Sequence, residues 1–487
     1  AQLTGETISL TETAAGTSTL VINVASGTTV NFANISSGSG FTNGSDTVTI
    51  NGAAGNENIT GPSSLATNID GGDGVDTLVG GSGNDVYLFD TNDVDAGESI
   101  TDSGGSADVV AIVTSTDFVN MPVTSLDDIE QIRFAGANQT GTFTGAQLTG
   151  ETISLTETAA GTSTLVINVA SGTTVNFANM TASTFTSGSD IITINASGNA
   201  NVTGPDIIAT YNGGTGGDTL IGGVTNDTIN GLNGNDTIDG GDGADSLVGG
   251  GGDDIYLFDT NDVDGGESIT EAGGGGTDVI AIVTSTDFSL MTAASLDEIE
   301  QIRFAGANKT GTFTGAQFTG ETIDLTETVA GTSNLVIEVG TGTTATFINL
   351  SASSFTSGSD TITINGTSGN ENITGPNLVT AINGGNGDDT IVAGTVNDTI
   401  DGGDGADSLT GGTGDDVYLF DTDDVDSGES ITENGGEGTD EIRLSSNTNF
   451  SNMTAASFNE IEVINLGNNR TGTFTGAQLT GETIDLK

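Results

Sequence analysis

Aspartate returns at every ninth residue between Gly213 and Asp259, and most copies follow a pair of glycines. In GGDGADSLV followed by GGGGDDIYL, Gly240, Gly241, Gly243 and Asp245 are repeated as Gly249, Gly250, Gly252 and Asp254. Glycine reaches φ > 0 without a Cβ penalty, so paired glycines make tight turns whose carbonyls can point inward. The aspartate adds a charged oxygen at the end of the turn. The next three residues, such as Ser246-Leu247-Val248, suit a short strand with its middle side chain inside. Stacked turns would bring carbonyl and carboxylate oxygens together at strand spacing. Six to eight hard oxygens in a flexible geometry suit Ca2+ better than Mg2+. No Cys or His is present to offer a softer ligand. Solvated turn aspartates are the plain alternative; they account for Gly and Asp singly, not for a period of nine.

The same turn occupies three blocks. The first holds Gly71, Gly72, Gly74 and Asp76, then Gly80, Gly81, Gly83 and Asp85. The second opens with Gly213, Gly214 and Asp218, continues with Gly222, Gly223 and Asp227, passes Asp236, and ends in the two turns quoted above. The third holds Gly384, Gly385, Gly387 and Asp389, then Asp398, then Gly402, Gly403, Gly405 and Asp407, and last Gly411, Gly412, Gly414 and Asp416. Leu232 stands where the second glycine belongs and Thr225 where the third does.

Around these blocks a longer unit repeats. AQLTGETISLTETAAGTSTLVINVASGTTVNFAN begins at Ala1 and recurs unchanged at Ala146, a variant begins at Ala316, and AQLTGETIDLK from Ala477 opens a fourth copy. The units are 1–145, 146–315 and 316–476, with blocks at about 44–90, 188–259 and 358–421, and 477–487 starts the next. Their lengths of 145, 170 and 161 residues differ by nearly whole nonapeptides, since three and two added to the first unit give 172 and 163. A packed globular core rarely absorbs such insertions; a solenoid does, because each added coil touches only its neighbours. Alternating runs such as STLVINVA and TTVNFAN are strand-like. The nearest approach to a helix is MTAASLDEIEQI, Met291 to Ile302, which suits one short turn. The fold class expected is all-β, a parallel β-solenoid with about 18 residues per coil.

The stretch from Gly213 to Asp259 resembles the haemolysin-type calcium-binding nonapeptides of RTX proteins. That resemblance covers about a third to a half of the chain, while the AQLTGETISL portions rest on pattern alone. It implies a right-handed parallel β-roll with Ca2+ between turns on each side. It also implies type I secretion, unfolded where calcium is scarce and folding outside. In such a roll an ion sits between motif n and motif n+2, so runs of two, five and four motifs imply at least five ions. Glu57 and Glu371 stand one coil before Asp76 and Asp389 and extend the series; Ala200, in the matching place of the second unit, implies a weaker or missing ion. The acidic stretch Asp90, Asp93, Asp95 and Glu98 offers either further ligands or solvated turns. Tyr87, Tyr256 and Tyr418, in the recurring YLFD, read as packing at the end of the roll.

Composition narrows the function. Six Lys or Arg against 67 Asp or Glu give a net charge of −61, which repels nucleic acid and anionic membranes. No run of about 18 apolar residues occurs, so membrane insertion is not expected. Without His or Cys, and with Lys only at 309 and 487, no ordinary nucleophile–base pair is available and catalysis is not expected. Two function classes remain. One is a secreted, calcium-rigidified structural repeat at a cell surface, such as a surface layer, filament or adhesin stalk. Its partners would be calcium, its own kind end to end or in a longer repeat chain, and a surface glycan or other surface component. The other is a calcium-dependent secretion and folding module of a larger exoenzyme or toxin.

Overall fold

A three-residue strand buries one side chain and cannot stand alone, so the glycine-punctuated triplets of this chain fold only by stacking. The computed structural model describes residues 4–14, 16–42, 45–185, 189–271, 275–355, 359–433 and 438–487. The expected starts at 1, 44, 188 and 358 lie outside the described residues. The chain divides into two units, Ala1–Gly241 and Asp242–Lys487, each a parallel β-solenoid.

In the first unit one eight-stranded sheet stacks strands from Thr19–Asn23 to Thr181–Ala182, every pairing parallel. Its register sets Ile50 on Ile69, Ile69 on Tyr87, Tyr87 on Val110, Val110 on Ile132 and Ile132 on Leu155. All six are fully buried, each worth about 1.5–3 kcal/mol of burial. A second sheet sets Val30, Ile59, Leu78 and Ile100 in an equivalent row. The middle residue of each triplet, Leu78 in Thr77–Val79 or Leu220 in Thr219–Ile221, faces inward as expected. In the second unit a ten-stranded parallel sheet runs from Thr286–Asp287 to Asp485–Leu486 beside a five-stranded sheet that includes Thr390–Gly394 and Ser408–Gly412.

Coil length separates the blocks from the rest. Stacked positions within the glycine-rich blocks lie 18 residues apart, as at Ala200 and Asp218, or 19, as at Glu57 and Asp76. Outside them the interval is 22 at Asp108 and Glu130, 27 at Ser163 and Asp190, and 28 at Ser18 and Asp46. The expectation of about 18 for most of the chain therefore holds only in the blocks: elsewhere the extra residues form corner loops and short helical turns. Among these are Gly145–Leu148 and, inside the segment expected to hold one turn, a 3-10 turn at Ala293–Leu296.

These longer coils explain the AQLTG opening that pattern alone left unassigned. The buried Gln147 amide donates to the Phe118 and Met121 carbonyls one coil back. Gln317 does the same for Phe288 and Met291, and Gln478 for Phe450 and Met453. Phenylalanines stack alongside: Phe118 on Phe143 at 4.5 Å, Phe288 on Phe313 at 4.4 Å, and Phe450 on Phe474 at 4.8 Å. The start of the fourth copy thus packs as the second and third do.

Candidate metal sites

A coil of 18 residues with two corners puts a corner every nine residues, and each corner is closed by an aspartate. One carboxylate oxygen takes the backbone N–H of the equivalent residue one coil earlier. In the first unit Glu57 donates to Asp76 Oδ1 at 2.6 Å, and on the other side Thr67 donates to Asp85 Oδ1 at 2.8 Å. Ala200 donates to Asp218 at 2.5 Å, Asp218 to Asp236 at 2.7 Å, and Ala209 to Asp227 at 2.8 Å. In the second unit Glu371 leads to Asp389 and Asp389 to Asp407, while Thr380 leads to Asp398 and Asp398 to Asp416. The carboxylates therefore stand in buried columns rather than in open water: Asp76, Asp245, Asp254, Asp389, Asp407 and Asp416 are at most 1% exposed.

The second oxygen raises the chemical question. Oδ2 of Asp76, Asp218, Asp389, Asp398, Asp407 and Asp416 is buried with no protein hydrogen bond. A buried carboxylate left half-satisfied is costly unless it is neutralised. Burial pushes Asp76 and Asp407 up to about 7 and Asp398 up to about 8, and neighbouring carboxylates push the same way. Among the described residues the single side-chain ion pair is Arg443 with Glu441, so lysine and arginine do not supply the missing charge. The turns supply more oxygens. A methyl group on Gly403 or Gly405 would run into the carbonyl oxygen of Gly385 or Gly387 one coil back, so successive turns pack carbonyl against backbone. These are hard oxygen donors only, and the residues present fit a calcium ion.

Comparison with protein families decides the matter. The RTX calcium-binding nonapeptide repeat matches in four copies, at residues 68–87, 212–247, 221–256 and 383–418. The glycine-rich blocks are RTX calcium-binding repeats. The matched residues make up about a fifth of the chain, fewer than the motif resemblance covers. Neither the curated proteins nor the solved structures give a match.

The RTX turns are not all alike. Gly72 and Gly74, Gly241 and Gly243, Gly250 and Gly252, Gly385 and Gly387, Gly403 and Gly405, and Gly412 and Gly414 all have positive φ. Gly81, Gly83 and Gly223 do not. There the aspartate turns its second oxygen on its own loop: Asp85 Oδ2 accepts from the Gly81 N–H at 2.7 Å, and Asp227 Oδ2 from the Gly223 N–H at 3.0 Å. Leu232 keeps the left-handed turn, at φ 77, although it has a Cβ. Because its side chain is 46% exposed, Leu232→Gly is expected to stabilise the folded, calcium-loaded chain by about 1 kcal/mol. Denaturant melts in calcium check this, and a lower midpoint for the variant would show that the side chain contributes more than its backbone costs.

The columns also run past the repeats, onto residues that period nine does not reach. Asp76 donates to Glu98 Oε2 at 2.5 Å, Asp245 to Glu267 at 2.7 Å and Asp407 to Glu429 at 2.7 Å, each 22 residues on. Oε1 of all three glutamates is buried without a partner, and burial pushes each up to about 9. In the acidic stretch of the first unit, Glu98 and Asp93 are buried, whereas Asp90 and Asp95 do not belong to the core. Asp93 accepts from the Asp90 N–H. The sequence signal was present: the ES of ESIT recurs at the same distance after each block. The opposite columns continue to Asp108, Asp278 and Asp440.

Proposed function

We propose that this calcium-binding repeat protein is a secreted structural element. Its solenoid is stiffened by Ca2+ outside the cell and forms part of a surface layer, filament or adhesin stalk. The observation that carries this reading is the threefold recurrence of one unit in which buried, half-satisfied carboxylates are stacked in columns. Such a unit gains rigidity from a bound ion, because binding free energy becomes folding free energy where no site exists beforehand. A composition without His or Cys supports a non-enzymatic role. No helix of the described residues is long and apolar enough to cross a membrane.

In the structural reading, calcium holds the turns that let coils stack, and coils of neighbouring chains or of a longer repeat chain extend the stack. Type I secretion and a cell-surface location belong to the same proposal, since a chain that folds only with calcium stays extended where calcium is scarce. Negative-stain electron microscopy of the protein with calcium and with chelator is the test. Arrays or filaments in calcium that disperse on chelation are expected. Single, unassociated particles under both conditions would defeat the structural role and favour a folding module for an attached activity.

A further inference from the structure

The last aspartate of each block faces a cage that the repeat itself does not contain. In the third block, Asp416 Oδ2, the Tyr418 hydroxyl and Glu433 Oε1 converge on the space a side chain at Gly411 would fill, with the hydroxyl 2.6 Å and Glu433 2.9 Å from that point. In the second, Asp254, Glu271 and Tyr256 surround the same space at Gly249, at 2.5, 2.5 and 2.6 Å. In the first, Tyr87, Asp102 and Asp85 surround that at Gly80. A second aspartate completes each set: Asp108, Asp278 or Asp440 brings a carboxylate oxygen within 4.8 Å of the other two acids.

We propose that each of these cages is a further calcium-sized cation site, distinct from the sites within the nonapeptide turns. Four observations support it. Asp416 is fully buried, and the Oδ2 it aims into the cage has no hydrogen-bond partner. Asp108 is likewise fully buried with Oδ2 unpartnered. Every donor is oxygen, three of them carboxylate, which is a hard-cation set. And the third acid follows the tyrosine by the same 15 residues in every unit, where the tyrosine hydroxyl donates to it: Tyr87 to Asp102 at 2.7 Å, Tyr256 to Glu271 and Tyr418 to Glu433. A solvated acidic loop has no reason to keep that interval. Burial, reinforced by the neighbouring acids, pushes Glu271 and Glu433 up to about 7 and Asp108, Asp278 and Asp440 up to about 6.

The cages reach beyond the recognised repeats. The matched residues end at 87, 256 and 418, on the tyrosines themselves. The cage therefore uses the final aspartate of the block together with acids of the following coil. Glycine at 80, 249 and 411 keeps the space open, and the phenol orients the third carboxylate as a positioning residue. An ion here would tie the block to the longer coil that follows it, where the interval between stacked aspartates lengthens from 18 to 23 or 24 residues.

Calcium counting on the full chain tests this. Equilibrium dialysis of Glu433→Gln is expected to show one ion fewer than the parent, and the combined Asp102→Asn, Glu271→Gln and Glu433→Gln variant one fewer for each cage. These amide variants keep the tyrosine's acceptor. A second reading does not depend on stoichiometry. With no Trp and four Tyr in the chain, terbium luminescence excited through tyrosine reports ions beside Tyr87, Tyr256 and Tyr418. It should fall to the level that Tyr211 alone sustains when those three are changed to Phe. An unchanged ion count with unchanged luminescence would overturn the proposal, leaving the cages to hold a shared proton. A parent chain that binds no calcium at all would instead sink the repeat sites as well, so the two failures are distinguishable.

Discussion

Withdrawing calcium with a chelator at about pH 8 is expected to abolish most of the far-ultraviolet β signal, and returning calcium to restore it. The reason lies in the columns. Asp389, Asp398, Asp407 and Asp416 each give one oxygen to the backbone of the preceding coil and leave the other buried without a hydrogen bond. An ionised carboxylate buried without a partner costs several kcal/mol, and several such groups recur within a few coils. Marginal stabilities of about 5–15 kcal/mol cannot absorb that sum. A net charge of −61 adds repulsion between coils. A chain of stacked coils also fails locally and then spreads, since each coil is stabilised only by its neighbours. The phenylalanine-stacked coils between blocks, such as those around Phe288 and Phe313, are expected to unfold last. Circular dichroism before and after chelation is the measurement; a β spectrum indifferent to the chelator would remove the basis for calcium-coupled folding. Magnesium should restore the signal poorly, because it needs a tighter octahedral set than stacked carbonyls supply.

Much of this fold could be read from spacing. Period nine, the triplet strands and the growth of units by whole nonapeptides all follow from an 18-residue coil with two corners, and Leu78, Leu220 and Ile238 sit where the triplet rule puts them. The glycines were legible for the same reason, since a turn with two left-handed residues has few alternatives to Gly. What the nine-residue period could not show was the end of each column. Glu98, Glu267 and Glu429 stand 22 residues after the aspartate they continue, and Asp108 and Asp440 stand 23 and 24 after theirs. Once corner loops lengthen the coil, period ceases to mark which acids share a column. From the sequence, the tyrosines read as packing. They are buried, but their hydroxyls are spent on acids 15 residues away, a pairing only the coil geometry reveals. The role of Gln147 and Gln317 was invisible for a related reason: an amide that bridges two carbonyls one coil back leaves no periodic trace.

Acidification should act on the calcium-free chain in the direction opposite to ordinary acid denaturation. A free aspartate titrates near 3.8, whereas burial, reinforced by neighbouring acids, pushes Asp76 and Asp407 to about 7 and Asp398 to about 8 in the folded chain. Glu98, Glu267 and Glu429 go from 4.5 to about 9 for the same reasons. Because the folded values are raised, the folded state holds protons that the unfolded chain has already lost. The stability these protons confer is fully present below the unfolded values and is lost as pH rises through about 7 to 9. The calcium-free protein is therefore expected to show more β structure at about pH 5.5 than at about pH 8.5, both above its isoelectric point of 4.1. Calcium reverses the slope. Each ion needs deprotonated carboxylates and displaces their protons, so apparent calcium affinity should rise over the same interval. Parallel titrations followed by circular dichroism, with and without calcium, test both signs at once. Were the calcium-free chain equally folded at both pH values, the buried columns would have to be wetter than their geometry shows, and protons and calcium would not be competing for the same oxygens.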